Sequence, residues 1–559
     1  MEERRLLLAL ALSILVMTAW GYWFGPKSPA ARVSVPTPAP AVAGSASPAP
    51  PEGAAALPAP GAAVPAPTKV AAPSLADERE RRVEVESGVA SVAFSNRGAR
   101  LLSWQLKQYK DDRGRGEEMV PATREAPWPL DLETGDKEVD GKLREALFKA
   151  SSEVVTVSGK VPVELSFAWS EGGLEVEKTL RFEDGGETVL VGASVRRGGQ
   201  PLPVQVIWGP GLGNPTAAEK DVTGYLPPRG VLLVASYPER VEALKLTEPR
   251  KVSGARFVGV ESGYFAALFI PAGGELAELR KVDLPAEDGK PRAGALAAVD
   301  LSRGPVRLFV GAKDYHALKA LGYGLAEVVD VGQYIGPIVK PFLSLLRWVH
   351  SYVGNYGWSI VALTVLINLV MAPFRHYSIA NGIRMAKVSP EIRAIQERYR
   401  KVPLMERGPM NDEIARVYAK HGMNMGTQMA VGCLPILLTM PFLIAFYNVL
   451  VLSIDLKGAS FLWIPDLSHK DPLFVTPVLM GASMLLMQKL TPTGTMDPAQ
   501  ARIMMLMPAV LTVMFVAAPG GLNLYWLASN VCSIVQQGVT MALLKGSGPE
   551  AAARERKKK

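Results

Sequence analysis

Uncharged polar side chains interrupt long apolar runs in the C-terminal third of this chain, and they are the residues best placed to handle a substrate there. The predicted substrate-groove residues are Thr364, Asn368, Gln428, Thr439, Asn530, Ser533 and Gln537. Polar groups in hydrocarbon are costly, so they usually face a bundle interior or a wet cavity. Hydrogen bonding between neighbouring helices is the alternative use of such residues. Their occurrence in three apolar runs together favours a polar cavity.

Motifs for covalent catalysis are absent from the sequence. It contains no His-Glu-x-x-His, no Gly-x-Ser-x-Gly on a strand–turn–helix, no phosphate-binding glycine loop and no Cys-x-x-Cys. The five histidines are isolated from one another and lie outside the apolar runs. We therefore predict a protein that is not an enzyme, with no catalytic residue, no metal site and no cofactor.

The bulk composition indicates a membrane protein with several domains. The chain has 559 residues, 48% of them hydrophobic, and a mean hydropathy of +0.14. Its two cysteines, Cys433 and Cys532, both lie in apolar runs, so the large middle region has no disulfide. The net charge of +8 is modest, and its distribution along the chain is more informative than its total.

Six apolar runs are predicted to cross a membrane. The first, Leu6–Phe24, follows two arginines and has four aromatic residues at its far end. Its length and these aromatic residues favour a retained anchor over the alternative, a cleavable signal peptide. The other five predicted spans are Trp358–Phe374, Met429–Leu452, Pro472–Gln488, Ile503–Ala518 and Leu522–Leu544. The expected fold is a multi-pass α-helical membrane protein with six transmembrane helices, five of which form a core.

Composition divides the rest of the chain. A Pro- and Ala-rich stretch after the anchor predicts a disordered tether. Short alternating runs such as Leu174–Phe182 and Thr188–Val195 follow and predict a large antiparallel β-sandwich, two sheets thick. An amphipathic segment, Tyr334–Tyr352, is expected to lie at the membrane interface. The predicted divisions are 1–26 (anchor), 27–79 (tether), 80–318 (β-sandwich), 319–357 (interfacial region), 358–544 (membrane core) and 545–559 (basic tail).

The distribution of Lys and Arg predicts the orientation in the membrane. Basic residues are concentrated between residues 375 and 425 and in the tail, whereas the loop Asp455–Asp471 has only Lys457 and Lys470. By the positive-inside rule, both termini and the 375–425 segment lie in the cytoplasm. The β-sandwich and the Asp455–Asp471 loop then face the periplasm, if the membrane is the inner membrane of a bacterium.

The cytoplasmic segment 375–425 carries two apolar stripes with a break near Pro403, which predicts a two-helix hairpin with basic outer faces. The candidate docking residues are Met385, Ile392, Arg393, Arg398 and Tyr399. The alternative is a hairpin whose stripes pack on each other while its charges are solvated. The basic tail suits ribosomal RNA or anionic lipid headgroups, with a role limited to topology as its alternative.

Three of the predicted core spans are short. Trp358–Phe374 and Pro472–Gln488 have 17 residues and Ile503–Ala518 has 16, so each reaches about 25 Å against about 30 Å of hydrocarbon. Short spans thin the adjoining bilayer, and a polar groove beside thin bilayer lowers the barrier for a hydrophilic segment to cross. This combination favours a protein that inserts other proteins into the membrane. A small-solute transporter and a structural assembly factor of a translocon are the alternatives, although the core spans contain no acidic residue that ion coupling would use.

Several short stretches give the chain a family resemblance. They include Phe309–Asp314, Met385–Arg398 with Pro390, Gly432–Pro435, Leu462–Leu467, Gln488-Lys489, Pro519–Leu522 and Ser529-Asn530 with Gln536-Gln537. Together they resemble the YidC-type membrane protein insertases, in the Gram-negative form that has a large periplasmic domain. The resemblance covers nearly the whole chain.

The resemblance implies a periplasmic β-supersandwich and a five-helix core that encloses a hydrophilic groove open to the cytoplasm and the lipid. It also implies a membrane protein insertase and chaperone, acting alone or with the Sec translocon. The partners implied are nascent membrane proteins, the ribosome, the Sec translocon with its accessory subunits and anionic lipids, but not DNA. The family places an arginine in the groove where this chain has Asn368, which removes a fixed positive charge. Arg375, about two turns away, is the nearest candidate to replace it.

Overall fold

The computed structural model describes residues 75–546 except 112, 123–126, 160, 223–224, 288–289, 333–334, 401, 404–407, 424–443 and 491–497. The predicted anchor, nearly all of the tether, most of the predicted span Met429–Leu452 and the basic tail lie outside these residues. Gln428 and Thr439 do as well.

Strands occupy most of the chain from residue 82 to residue 312. They are β1 (Arg82–Glu86), β2 (Ala90–Ser95), β3 (Arg100–Lys110), β4 (Gly116–Glu118), β5 (Leu132–Glu133), β6 (Lys149–Ala150), β7 (Val154–Thr156), β8 (Val163–Glu171), β9 (Leu174–Glu183), β10 (Thr188–Arg197), β11 (Gln200–Leu202), β12 (Gln205–Trp208), β13 (Arg229–Leu233), β14 (Glu239–Val241), β15 (Arg250–Ser253), β16 (Phe257–Glu261), β17 (Phe265–Ile270), β18 (Leu276–Glu287), β19 (Lys290–Asp300) and β20 (Val306–Ala312).

Within the described residues these strands form three sheets. The largest has the order β14-β13-β16-β17-β20-β10-β9-β8-β6, with β11 paired to β10. The two smaller sheets run β4-β3-β2-β1-β7 and β15-β18-β19-β12-β5. Pairing is antiparallel except between β1 and β7, which are parallel. One apolar core joins side chains from all three sheets, among them Trp104, Phe167 and Trp208, so the region folds around one shared interior.

The alternating runs predicted β9 and β10 correctly, but they predicted neither the three longest strands, β3, β18 and β19, nor the division into three sheets. Leu174–Phe182 and Thr188–Val195 correspond to β9 and β10, which pair residue by residue from Leu174 with Arg197 to Glu183 with Thr188. Strand β3 was missed because a register shift in its pairing with β2 breaks the two-residue period. As a result Leu101 and Trp104 are both buried, although they are three residues apart.

Helices dominate from residue 315 onward. In chain order the helices are α1 (Lys137–Glu145), α2 (Ala217–Lys220), α3 (Tyr315–Leu321), α4 (Gly336–Val353), α5 (Tyr356–Arg398), α6 (Gly408–Lys420), α7 (444–452), α8 (Val475–Leu490), α9 (Pro498–Phe515) and α10 (Gly520–Gly546). Among the described residues, two helices are long and apolar enough to cross a membrane, Tyr356–Arg398 and Gly520–Leu544. Val475–Leu490 and Met504–Phe515 are shorter apolar helices. The predicted number of six membrane spans is therefore not confirmed.

Helix α4 matches the predicted amphipathic segment. Its buried residues, Val339, Leu343, Leu346 and Val349, recur at three- and four-residue spacing and pack into the apolar core of the helical region. The helix ends at Gly354, whose φ of 73° is the left-handed conformation that glycine adopts without a steric penalty. This glycine separates α4 from α5.

Helix α5 is one continuous helix of 43 residues. The predicted span Trp358–Phe374 and the first arm of the predicted hairpin both lie in this helix, so the span continues without interruption into the hairpin. Pro373 and Pro390 both lie inside the helix. The expected break near Pro403 is present, since helix α6 begins at Gly408.

A buried charge cluster attaches the largest sheet to the segment that leads into the helices. Glu261 on β16 is fully buried and accepts from Arg229 and Arg240, both at 2.8 Å. The buried Lys313 lies 3.3 Å from Glu261, and Arg229 also pairs with Asp330 at 2.8 Å. Because each charge has opposite charges beside it, the burial cost is offset across the cluster.

A second cluster joins the β-sandwich to the loop between α7 and α8. The Lys457 side chain is only 4% exposed and lies 2.6 Å from Glu219 and 3.3 Å from Glu117. Its ammonium group also lies about 6 Å from the ring centres of Tyr264 and Phe265. Lys470 in the same loop pairs with Asp221. Charges from the loop therefore enter the sandwich and hold the two regions together.

We expect Lys457→Met to destabilise the protein, because it leaves two buried carboxylates without a counter-ion. Removing one partner of a buried ion pair costs about 3–5 kcal/mol. The midpoint of thermal unfolding in detergent, measured by tryptophan fluorescence, should fall by several degrees. Lys245→Met is the matched control, since Lys245 forms an exposed pair with Glu242. Equal midpoints for the two variants would contradict a supporting role for the Lys457 cluster.

The same cluster predicts a pH dependence. Burial raises the pKa of Glu117 to about 7, against the attraction of Lys457, and the neighbouring Glu219 carboxylate adds to the rise. The folded protein thus holds a proton on Glu117 between pH 4.5 and about 7, where the unfolded chain has released it. This contribution to stability is complete at low pH and is lost as the pH rises through 7.

Between pH 6 and pH 8 the wild-type protein should therefore lose about 1 kcal/mol of stability that a Glu117→Gln variant does not lose. The measurement is the difference in unfolding midpoint between wild type and variant at each pH. Glu248→Gln, at an exposed carboxylate, should keep a constant difference from wild type. A Glu117→Gln difference that does not change with pH would show that Glu117 stays ionised when buried.

Candidate functional site

Asn368 and Arg375 meet on one side of helix α5. The Arg375 guanidinium donates to the Asn368 side-chain oxygen at 2.5 Å, and the Asn368 amide donates to the carbonyl of Thr364 at 2.8 Å. Side chains of a helix point toward its N-terminus, so an arginine two turns further along reaches back to position 368. The guanidinium of a residue seven positions later therefore lies beside the Asn368 side chain.

Helix α10 closes the other side of this contact. The Ser533 hydroxyl accepts a second hydrogen bond from Arg375 at 2.7 Å. One turn further, the Gln536 amide donates to the carbonyl of Ala372 at 2.7 Å, and the His376 Nδ1 atom lies 3.1 Å from the Thr540 hydroxyl. These contacts fix α10 against α5 over the part of α5 that carries the arginine.

Asn530 and Gln537 on α10 bond to a different neighbour. The Asn530 amide donates to the Ser483 hydroxyl at 3.0 Å, and the Gln537 amide donates to the carbonyl of Leu490 at 2.7 Å. Both acceptors belong to α8. The polar face predicted for α10 is therefore divided, with Ser533 bonded to α5 and with Asn530 and Gln537 bonded to α8. These two residues form hydrogen bonds between helices, the alternative role that the sequence analysis left open for polar residues in apolar runs.

A cavity of about 220 Å³ lies between these helices. A cavity of this size holds several water molecules. Asn368, Asn530 and Ser533 of the predicted residues line it, together with Arg375 and Ser529 as further polar groups. Its apolar wall is formed by Ile367, Met371, Met487, Tyr525 and Trp526.

The cavity carries a positive charge that the spans do not neutralise. Arg375 is partly buried, and its guanidinium donates hydrogen bonds to the neutral side chains of Asn368 and Ser533. None of the five predicted core spans contains Asp or Glu. Among the residues that the structure describes, no carboxylate pairs with Arg375, and an arginine in such a place keeps an unused capacity to bind an anionic group. The arrangement can attract and orient a carboxylate, but it has no nucleophile with a base beside it.

The structure places the remaining predicted groove residues as follows. Thr364 is fully buried, and its hydroxyl donates to the carbonyl of Ile360 in its own helix at 2.6 Å. It supports Asn368 through its carbonyl and is not among the residues that line the cavity. Gln428 and Thr439 lie outside the described residues. The sequence missed Ser529 and Tyr525, although the four-residue spacing of Tyr525, Ser529 and Ser533 places them on one helical face.

The hairpin formed by residues 375–420 packs on itself. Val388, Ile392 and Ile395 on α5 contact Ile414 and Tyr418 on α6, with Met385 and Tyr399 at the edge of the cluster. Ile392 is buried and is not available to a partner. Arg398 pairs with Glu413 at 2.9 Å while most of its side chain stays exposed, and Arg393 is exposed. The apolar stripes thus form the hairpin core, and the accessible docking candidates are its basic residues.

These features define a membrane protein with apolar helices around a polar, positively charged cavity and a large β-sandwich attached to the helix ends. Comparison with known proteins agrees along the whole chain. A family profile described as the 60Kd inner membrane protein matches residues 348–547, and a profile of the YidC periplasmic domain matches residues 82–345. The chain belongs to the YidC family of membrane protein insertases.

Individual relatives cover almost the full length. The membrane protein insertase YidC of Syntrophus aciditrophicus is 30% identical, with 96% of this chain and 98% of the relative covered. That of Geobacter metallireducens is 31% identical, with 96% and 97% covered. Among solved structures, a YidC insertase crystal structure with its first transmembrane domain resolved matches at 17% identity and a TM-score of 0.35, covering 84% of this chain and 95% of that chain.

Proposed function

We propose that this chain inserts membrane proteins by receiving a hydrophilic segment of a nascent chain in the cavity between α5, α8 and α10. The observation that carries the proposal is the Arg375 charge, which points into the cavity and is held by Asn368 and Ser533. A polar cavity next to lipid lowers the cost of moving a hydrophilic tail into the bilayer. No bond is made or broken in the substrate, so the protein acts as an insertase and chaperone.

Arg375 performs the electrostatic role that the family resemblance assigns to position 368. Asn368 stands where the resemblance implies an arginine, and its side-chain oxygen accepts a hydrogen bond from Arg375. A cation therefore still lies beside this position. A substrate tail that carries a carboxylate gains a charge-assisted hydrogen bond on entering the cavity. Arginine is suited to this task because its planar donors bind a carboxylate at two points.

We expect Arg375→Gln to reduce insertion of a substrate with an acidic tail by about tenfold, since a hydrogen bond to a charged group contributes about 1.5 kcal/mol or more. A substrate whose acidic residues are replaced by Asn and Gln should be affected much less. Insertion is measured as protease protection of a radiolabelled substrate in proteoliposomes. Arg384→Gln, at an exposed basic residue on the same helix, is the matched control.

The double variant Asn368→Arg/Arg375→Asn tests whether the charge or the residue matters. It returns the cation to position 368 and should restore insertion of the acidic-tailed substrate to a level near that of the wild type. Equal loss for acidic and neutral tails in Arg375→Gln, without rescue by the double variant, would show that Arg375 supports only the packing of α5 against α10.

The orientation is part of the proposal. The concentration of Lys and Arg between residues 375 and 425 supports a cytoplasmic hairpin, with the β-sandwich on the opposite side of a bacterial inner membrane. In this orientation the hairpin is on the cytoplasmic side. Its exposed basic residues, including Arg393 and Arg398, would there face the ribosome and anionic lipid headgroups. Nascent membrane proteins and the Sec translocon complete the proposed set of partners.

Labelling of single cysteines checks this orientation. In a variant with Cys433 and Cys532 replaced by Ser, we expect Arg384→Cys to resist an impermeant maleimide added to intact spheroplasts. Leu244→Cys, at an exposed position in the β-sandwich, should react fully under the same conditions. Reaction of Arg384→Cys before the cells are lysed would reverse the proposed orientation.

A further inference from the structure

The loop between α7 and α8 separates its charged residues from its large apolar residues. All of its carboxylates and lysines are engaged by the β-sandwich, by α4 or by the loop itself. The contacts are Asp455 with Arg347, Lys457 with Glu117 and Glu219, Asp466 with the Gly458 and Ser468 amides, Lys470 with Asp221, and Asp471 with Trp463 and Thr476. The opposite side of the loop is therefore left without charge.

Large apolar side chains occupy that opposite side. Phe461 and Ile464 exchange two backbone hydrogen bonds of 2.8 and 2.9 Å, which makes Leu462 and Trp463 the tip of a tight turn. Phe461 and Ile464 are buried, whereas Leu462 is 67% exposed. Leu473, immediately before α8, is 62% exposed, and its neighbour Phe474 is exposed as well. This is the reverse of the pattern expected for a loop in water, where polar residues face outward.

The backbone holds two of these residues in an unfavourable conformation. Leu462 has a φ of 52° and Phe474 a φ of 54°, in the left-handed region that costs a residue with a side chain about 1–2 kcal/mol. Glycine would remove that cost. Such conformations persist where the surroundings enforce them, and they concentrate at functional sites.

The surroundings that enforce this conformation centre on Asp471. This fully buried carboxylate accepts from the Trp463 ring nitrogen at 3.0 Å, the Leu473 amide at 3.0 Å and the Thr476 amide and hydroxyl at 2.7 and 2.8 Å. Burial by itself raises the pKa of a carboxyl, but these hydrogen bonds hold the pKa of Asp471 below its ordinary value. Asp471 therefore stays ionised and joins the turn to the first turn of α8.

We infer that Leu462, Trp463, Leu473 and Phe474 form a lipid-inserting surface that enters the acyl layer of the membrane leaflet opposite the cytoplasm. The occupant is lipid because the surface continues without a charge into the exposed apolar face of α8, at Val478 and Leu479. Trp358, exposed at the start of α5, packs edge-on against Phe461 beside the turn. Tryptophan at the end of an apolar helix is typical of the interface between headgroups and acyl chains.

This inference extends the proposed function without depending on insertion activity, since it requires only that α5 and α8 lie in a bilayer. A rigid apolar loop that enters the leaflet next to a short helix occupies volume between the headgroups. It therefore favours the thin bilayer that a helix of 16 residues requires.

The test is the depth of a nitroxide label in vesicles of phosphatidylethanolamine and phosphatidylglycerol. The full chain is used with Cys433 and Cys532 replaced by Ser, and the label is attached at Leu462→Cys or at Leu473→Cys. Leu473 has an ordinary φ, so its variant remains informative if the turn rejects cysteine at position 462. Leu244→Cys in the β-sandwich, where the leucine is also 62% exposed, is the matched control.

We expect labels at positions 462 and 473 to collide several-fold more often with dissolved oxygen than with a water-soluble nickel chelate, and we expect the opposite ratio at position 244. Ratios at 462 and 473 equal to that at 244 would overturn the inference. Labels that reach neither oxygen nor nickel in native membranes, but reach nickel in the vesicles, would also overturn it, because a protein partner would then cover the surface. Loss of insertion activity with lipid-like ratios would leave the inference standing and would count against the proposed function alone.

Discussion

The arrangement of the membrane core depends on one positive charge that lies among apolar helices. Because the predicted core spans contain no Asp or Glu, neutral side chains hold this charge. Arg375 donates hydrogen bonds to Asn368 on its own helix and to Ser533 on α10. The Ser533 contact requires α5 and α10 to lie close together, and the hydrogen bonds of Gln536 and His376 hold them there. A charge that neutral groups stabilise without neutralising it remains available to an anionic ligand, so under the proposed function the same contacts would support the structure and attract the substrate.

Partly buried cations also connect the β-sandwich to the membrane core, but these cations pair with carboxylates, whereas Arg375 bonds to neutral groups. Lys457 and Arg347 each lie between two carboxyl groups, so here each cation has anionic partners and the contacts are structural. Buried charges of this type specify one arrangement, because any shift leaves a carboxylate or an ammonium group without a partner. The core therefore combines ion pairs where it joins the β-sandwich with an arginine held by neutral groups at the cavity that we propose as the substrate site.

Much of this architecture follows from short-range patterns in the sequence. Alternation located β9 and β10, helical spacing located α4, and the polar interruptions located Asn368, Asn530 and Ser533 at one cavity. What the patterns could not show is how a long side chain is directed. Arg375 lies at the end of a predicted span, where a basic residue ordinarily extends to the headgroups. It instead reaches inward because acceptors on two helices converge on it, and that convergence is a property of the tertiary structure. The β3 register shift and the division of the strands into three sheets are likewise set by long-range pairing.

The length of α5 has a mechanical consequence. Its 43 residues correspond to about 64 Å, roughly twice the thickness of the hydrocarbon layer. About half of the helix carries the cavity residues, and the other half forms the arm of the hairpin against which α6 packs. In a rod without a break, a change of tilt by about 10° at the cavity displaces the far end by about 6 Å, given a rise of 1.5 Å per residue over the part beyond Arg375. A small change of tilt near the cavity would therefore be amplified at the opposite end of the helix, in the hairpin.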